Sequence, residues 1–208
     1  MTTKKKLQAF FDERHEDAQY ISVYEENIEF FNDLLRTGRA EELDYVLPIK
    51  LLRYADPLGQ SGQYSKALRV LGEVEADLPK LRGLSEWYAM YEESLTFLKA
   101  VNLARLKRYK ESNILFKKLL QGKHENERYA DWYRSNLKSM VTRYTNAIAV
   151  VGGGAIIFCV VGGWLFPGFN VGAFQTMALI VLTLSLIVPM LFSYWVDRRP
   201  VRPIAKQK

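Results

Sequence analysis

The chain has 208 residues, with 29 Lys and Arg against 23 Asp and Glu, two histidines and one cysteine. A single cysteine excludes a disulfide framework within one chain and any Cys₄ or Cys₂His₂ zinc site, and His15 and His124 leave little material for a histidine-based metal centre. The mean hydropathy of −0.13 conceals a divided chain. Residues 1–144 carry 24 basic and 22 acidic side chains, residues 145–196 carry none, and residues 197–208 set five basic side chains against Asp197.

Taken from the N-terminus, Lys4-Lys5-Lys6 is followed by Leu7 to Phe11, but Asp12 and Glu13 cut the apolar run too early for a secretory signal. Residues 1–144 then read as helix almost throughout. Proline occurs only at 48, 57 and 79, no stretch alternates with a period of two, and apolar residues recur at three and four, as in Tyr24, Ile28, Phe31, Leu34 and Leu35. The pattern predicts helices over 5–37 (broken near His15), 41–56, 63–77, 85–107, 109–121 and 127–143. Breaks are expected at Thr37-Gly38, 56–62, 79–83 and 121–123. No breaker separates Trp132 from Ala147, so the last helix is expected to continue into the apolar region.

Within this part, Leu51, Tyr54, Ala55 and Leu58 are followed, after Gly62 and Tyr64, by Ala67, Leu71 and Pro79. This order of large and small positions resembles a tetratricopeptide repeat over 51–79, with Leu51 where the family carries Trp and Tyr54 where it carries Leu. Ala55 and Ala67 are the small residues that let paired helices touch. A weaker copy spans 96–124, with Ala100, Leu103, Tyr109, Ser112 and Phe116 in the corresponding places and departures at Thr96, Lys99, Lys107 and His124. The copies lie 45 residues apart rather than about 34. The simpler reading is a generic antiparallel helical bundle. The resemblance implies an all-α, curved array that binds a peptide or helical segment of a protein partner.

Charge is unevenly distributed. Residues 12–44 carry eleven acidic and three basic side chains, and residues 99–143 carry twelve basic and four acidic. The basic half adjoins the apolar region, where anionic lipid headgroups would attract it by about 1 kcal/mol per Lys or Arg; each run also suits an ordinary solvated helix face.

Two uncharged stretches follow, 21 residues from Asn146 to Phe166 and 23 from Ala173 to Trp195. At about 1.5 Å per residue each reaches roughly 31–35 Å, enough for a hydrocarbon core of about 30 Å. The six-residue turn 167–172 is too short to hold a domain, so a transmembrane hairpin over 145–196 is expected, followed by the basic tail 197–208. Arg134, Lys138 and Arg143 before the first span, with Arg198, Arg199 and Arg202 after the second, place both termini on the cytoplasmic side and the turn opposite. Ala149 and Gly153, and Ala155, Cys159 and Gly163, recur at four-residue spacing and suit close helix packing. That packing is either against the second span or between chains, which would make a homo-oligomer. Pro189 is expected to kink the second span.

Catalytic chemistry is not expected. Gly59-Gln60-Ser61-Gly62 lacks the spacing and the strand of a nucleophile elbow, and Gly152-Gly153-Gly154 has no lysine beside it to make a phosphate loop. No cofactor and no nucleic acid is expected, since the aromatics of the basic region are accounted for by lipid and core. The reading is a membrane-anchored adaptor or scaffold. A non-catalytic subunit of a larger membrane complex and a self-associating, membrane-perturbing effector are the alternatives.

Overall fold

The computed structural model describes residues 17–122, 126–165 and 172–198, together with Leu7. Every element in these stretches is helical and no strand occurs among the described residues, so the chain is all-α. Two compact units divide at residues 124 and 125, which assigns the predicted helix from 127 to the second unit.

The first unit begins with α1 (Asp17–Glu26) and α2 (Ile28–Thr37). A single helix was expected here, but it is interrupted at Asn27, whose side-chain amide donates to the Val23 carbonyl at 2.9 Å. An Asn that bonds its own backbone competes with the helical ladder. Next, α3 (Ala40–Pro48) passes without a turn into a π-helical segment (Ile49–Ala55) and α4 (Asp56–Gln60). The expected break at 56–62 therefore shrinks to Ser61 and Gly62. Pro48 supplies no backbone donor and crowds the carbonyl four residues back, and the wider turns begin directly after it. Pro57 falls at the start of α4, two residues after the π-helical segment ends. The unit continues with α5 (Tyr64–Asp77), a 3₁₀ turn (Leu78–Leu81), α6 (Tyr88–Arg105) and α7 (Tyr109–Gly122).

The turn between α4 and α5 is matched, bond for bond, by the turn between α6 and α7, 45 residues later. Ser61, Gly62 and Gln63 donate backbone N–H groups to Pro57, Gly59 and Leu58; Leu106, Lys107 and Arg108 donate to Asn102, Ala104 and Leu103. The helix after each turn has 14 residues. Buried side chains match in step as well: Ala55 and Ala100, Leu58 and Leu103, Ala67 and Ser112, Leu71 and Phe116. The small pair is in direct contact in the second of these helix pairs, where Ser112 Oγ donates to the Ala100 carbonyl at 2.7 Å. Both turns need a residue with positive φ to end the first helix. Gly62 supplies it at 84°, whereas at Lys107 a side chain is held at 61°. A left-handed L-residue costs roughly 1–2 kcal/mol, of which glycine recovers part after its own chain entropy. Lys107→Gly is expected to stabilise the unit by about 0.5–1 kcal/mol, and Gly62→Ala to destabilise it. Thermal unfolding followed by circular dichroism checks the opposite signs.

A second glycine is required by contact rather than by conformation. A Cβ on Gly59 would lie 2.8 Å from Asn102 Oδ1, and Asn102 is buried, its amide donating to Leu98 at 2.8 Å. Gly59→Ala is therefore expected to destabilise the unit by roughly 1–3 kcal/mol. Adding Asn102→Ala should restore part of that loss in a double-mutant cycle.

The second unit consists of α8 (Glu127–Leu165), 39 residues long, and α9 (Gly172–Arg198), 27 residues long. As expected, α8 runs unbroken from its polar, aromatic half into the apolar stretch. Lys138 meets Asp197 at 2.6 Å, and a Cβ on Gly152 would meet Val181 at 3.4 Å. Moving forward along α8 thus moves backward along α9, and the helices pair antiparallel over this stretch.

Candidate functional site

Two helices are long and apolar enough to cross a membrane, and only 12% and 11% of their most apolar windows are buried. A core helix of a globule would be mostly buried. Here the large apolar side chains point outward instead: Val150, Phe158 and Met190 are each at least 72% exposed. Along the apolar stretch the α8–α9 seam includes small and short polar residues. Thr145, Gly152, Ala178 and Ser185 are buried, and the two hydroxyls are satisfied locally, Thr145 by Val141 and Thr142 and Ser185 by Leu182. Seven-residue spacing on both helices keeps this seam on one line.

Of the small residues singled out in the sequence, Ala149 is half-buried and Ala155 is exposed. Gly153 has open space where its side chain would be, as do Gly154 and Gly162. Gly152 is the glycine seated against α9. Cys159 and Gly163 lie on α8, with side-chain surroundings outside the described residues. Beside the seam runs an apolar groove of about 460 Å³, lined by Ala147, Val151, Gly152 and Ala155 of α8 and by Met177, Ala178 and Val181 of α9.

The flanking cations divide into paired and outward-facing groups. Lys138 pairs with Asp197, and Arg134 reaches Asp131 at 3.2 Å. Arg143 is exposed, and the Arg198 guanidinium lies 4.5 Å from the Tyr194 ring centre, a cation–π contact of the type found near membrane interfaces. Arg199 and Arg202 fall outside the described residues, as do His15, His124 and all of the predicted turn 167–172 except Gly172, which opens α9.

The residues singled out for repeat packing lie in the first unit. Leu51, Ala55, Leu58, Ala67, Leu71, Ala100, Leu103 and Phe116 are buried, and Tyr64 and Tyr109 are half-buried. The sequence did not reveal the polar and aromatic cluster that binds α1 to the helices after it. Tyr24 is buried and stacks between Phe31 and Tyr54, at 4.5 and 4.1 Å. The Tyr54 hydroxyl donates to Glu25 at 3.1 Å, Lys66 pairs with the same carboxylate, and Arg53 donates to the Tyr20 hydroxyl at 2.6 Å. The Lys66 hydrogen bond holds the Glu25 carboxyl below its ordinary range, and burial raises the Tyr24 hydroxyl. Elsewhere burial, with Asp44 nearby, pushes Tyr91 up to about 12. Lys50 is buried and meets Glu73 at 2.7 Å. The Tyr24 hydroxyl and Asp44 Oδ1 are buried without a hydrogen-bond partner. Among the described residues no three of His, Cys, Asp and Glu gather to hold a metal ion. No family model, curated protein or solved structure matches the chain.

Proposed function

We propose that the chain is a membrane-anchored adaptor. The α8–α9 pair crosses the bilayer as a hairpin, and the helical unit before it, built on tetratricopeptide-like pairs, binds a protein partner at the cytoplasmic face. The observation that carries the anchoring is the outward display of apolar side chains along two paired helices. In water that surface would far exceed what a monomer tolerates, and in lipid it costs nothing. The basic flanks support cytoplasmic termini. Support for repeat-like pairs comes from the two matched turns and the matched small and large buried positions. Anchoring raises the partner's effective concentration at the membrane without any new contact.

Three measurements test this reading. The protein should stay in the membrane fraction on alkaline extraction, and protease added outside intact cells should leave the N-terminal unit uncut. Lys138→Cys with Asp197→Cys, in a Cys159→Ser background, should form an intramolecular disulfide in the membrane. Pull-down from detergent-solubilised membranes should recover a partner whose retention is lost on surface substitutions within 12–80. Recovery of no such partner removes the adaptor reading and leaves the anchor.

A second reading is favoured by the groove and by the open side of Gly153, Gly154 and Gly162, which suit a further helix in the bilayer. On that reading the chain is a subunit of a larger membrane assembly. Gly153→Leu or Gly163→Leu separates the two: an adaptor keeps its soluble partner, whereas an assembly subunit falls out of its complex.

A further inference from the structure

The outer face of α7 combines one exposed branched apolar residue with a collar of positive charge. Residues 107–118 hold Lys107, Arg108, Lys110, Lys117 and Lys118 against the single acid Glu111, and all five basic side chains are exposed. At 100° per residue, Lys110, Ile114, Lys117 and Lys118 share an arc of about 100°. Ser112, Asn113, Phe116, Leu119 and Leu120 fill the opposite, buried side. Ile114 stands 66% exposed in the middle of the basic arc.

The type of cation identifies the partner. The one arginine is already held by a carboxylate, with Arg108 Nε and Nη2 on Glu111 at 2.7 and 2.6 Å. The other four are lysines: flexible, strongly hydrated point charges without the planar fork that reads an individual carboxylate. Such side chains suit a diffuse sheet of negative charge, and their long stems let the ammonium groups reach outward while an apolar residue between them meets an apolar layer. Lys118 lies 3.3 Å from Glu92, with both side chains about half exposed or more, a solvent-screened contact that a stronger anionic surface displaces readily.

We infer that the outer face of α7 docks onto the anionic headgroup surface of a bilayer, with Ile114 entering the interface and Lys110, Lys117 and Lys118 meeting lipid phosphates. The inference rests on the membrane-anchored reading, since the anchor keeps this face within reach of a bilayer. It adds a peripheral contact made by the helical unit itself.

The test uses the full chain with Ile114→Cys in a Cys159→Ser background, labelled with an environment-sensitive bimane and reconstituted into phosphatidylcholine vesicles with or without phosphatidylserine. The expected result is a blue shift only where phosphatidylserine is present, reversed by high salt. Lys110→Glu, Lys117→Glu and Lys118→Glu together should abolish the shift with the helical circular dichroism unchanged. Insertion into both vesicle types without a shift overturns the docking face and leaves the anchor standing, whereas failure to insert overturns the anchor and the docking face together. A shift produced by polyglutamate in phosphatidylcholine vesicles, and not by phosphatidylserine, assigns the face to an acidic protein and overturns the lipid assignment.

Discussion

Replacing Phe116 by Ala lowers the stability of the first unit by about 3–5 kcal/mol, among the largest effects expected of a point change in this chain. Phe116 is fully buried, and its ring meets Phe97 edge-on at 6.1 Å. It holds the large position of the second helix pair, as Leu71 does in the first, so truncation opens a cavity where α6 and α7 close on each other. Small domains hold about 5–15 kcal/mol in total, and a loss of this size brings the unit close to unfolding at growth temperature. Urea unfolding in detergent, followed by circular dichroism, measures it. Ile114→Ala, two residues away on the exposed face, serves as the control and should stay within about 0.5 kcal/mol. Similar losses for the two variants would remove the packing assignment of α7.

Phe158→Arg separates water from lipid as the surroundings of α8. Phe158 is 72% exposed and lies near the middle of the uncharged stretch. On the surface of a soluble helix this change is nearly neutral. At the centre of a membrane span it costs roughly 2.5–3.5 kcal/mol of insertion free energy, a shift of about two orders of magnitude in the insertion equilibrium. The expected outcome is a sharp fall in the carbonate-resistant fraction with wild-type expression. Thr142→Arg, in the polar half of the same helix, should leave that fraction unchanged. Full membrane retention of Phe158→Arg would remove the first span.

Much of the architecture was readable because the signals that set it are local. An uncharged run of more than 20 residues, a Gly62 turn between apolar periods, and the absence of any breaker between Trp132 and Ala147 each act over a few helical turns. What escaped depends on distant partners. The phase of α8 against α9 decides which glycine of 152–154 is covered, and only the second helix fixes that phase. Lys138 resembles a lipid-facing cation until Asp197, 59 residues away, is brought beside it. The helix expected over 41–56 does run through Pro48, but its widening into a π-helical segment, with Ile49, Leu51 and Tyr54 buried, carries no local signal. Gly59 fell within the expected break at 56–62 and is instead a close contact with Asn102. Lys107 stood out in the sequence only as a departure from the resembled repeat, and its positive φ of 61° comes from the structure.

The absence of any break in α8 has a mechanical consequence. Its hydrogen-bond ladder crosses the boundary between polar and apolar side chains without a joint, so no swivel separates the two halves of the helix. A torque applied near Glu127 is delivered to the apolar turns as rotation of one rod, and the Lys138–Asp197 contact lies where that rod meets α9. Whatever grips the N-terminal end of this rod therefore turns the apolar stretch with it.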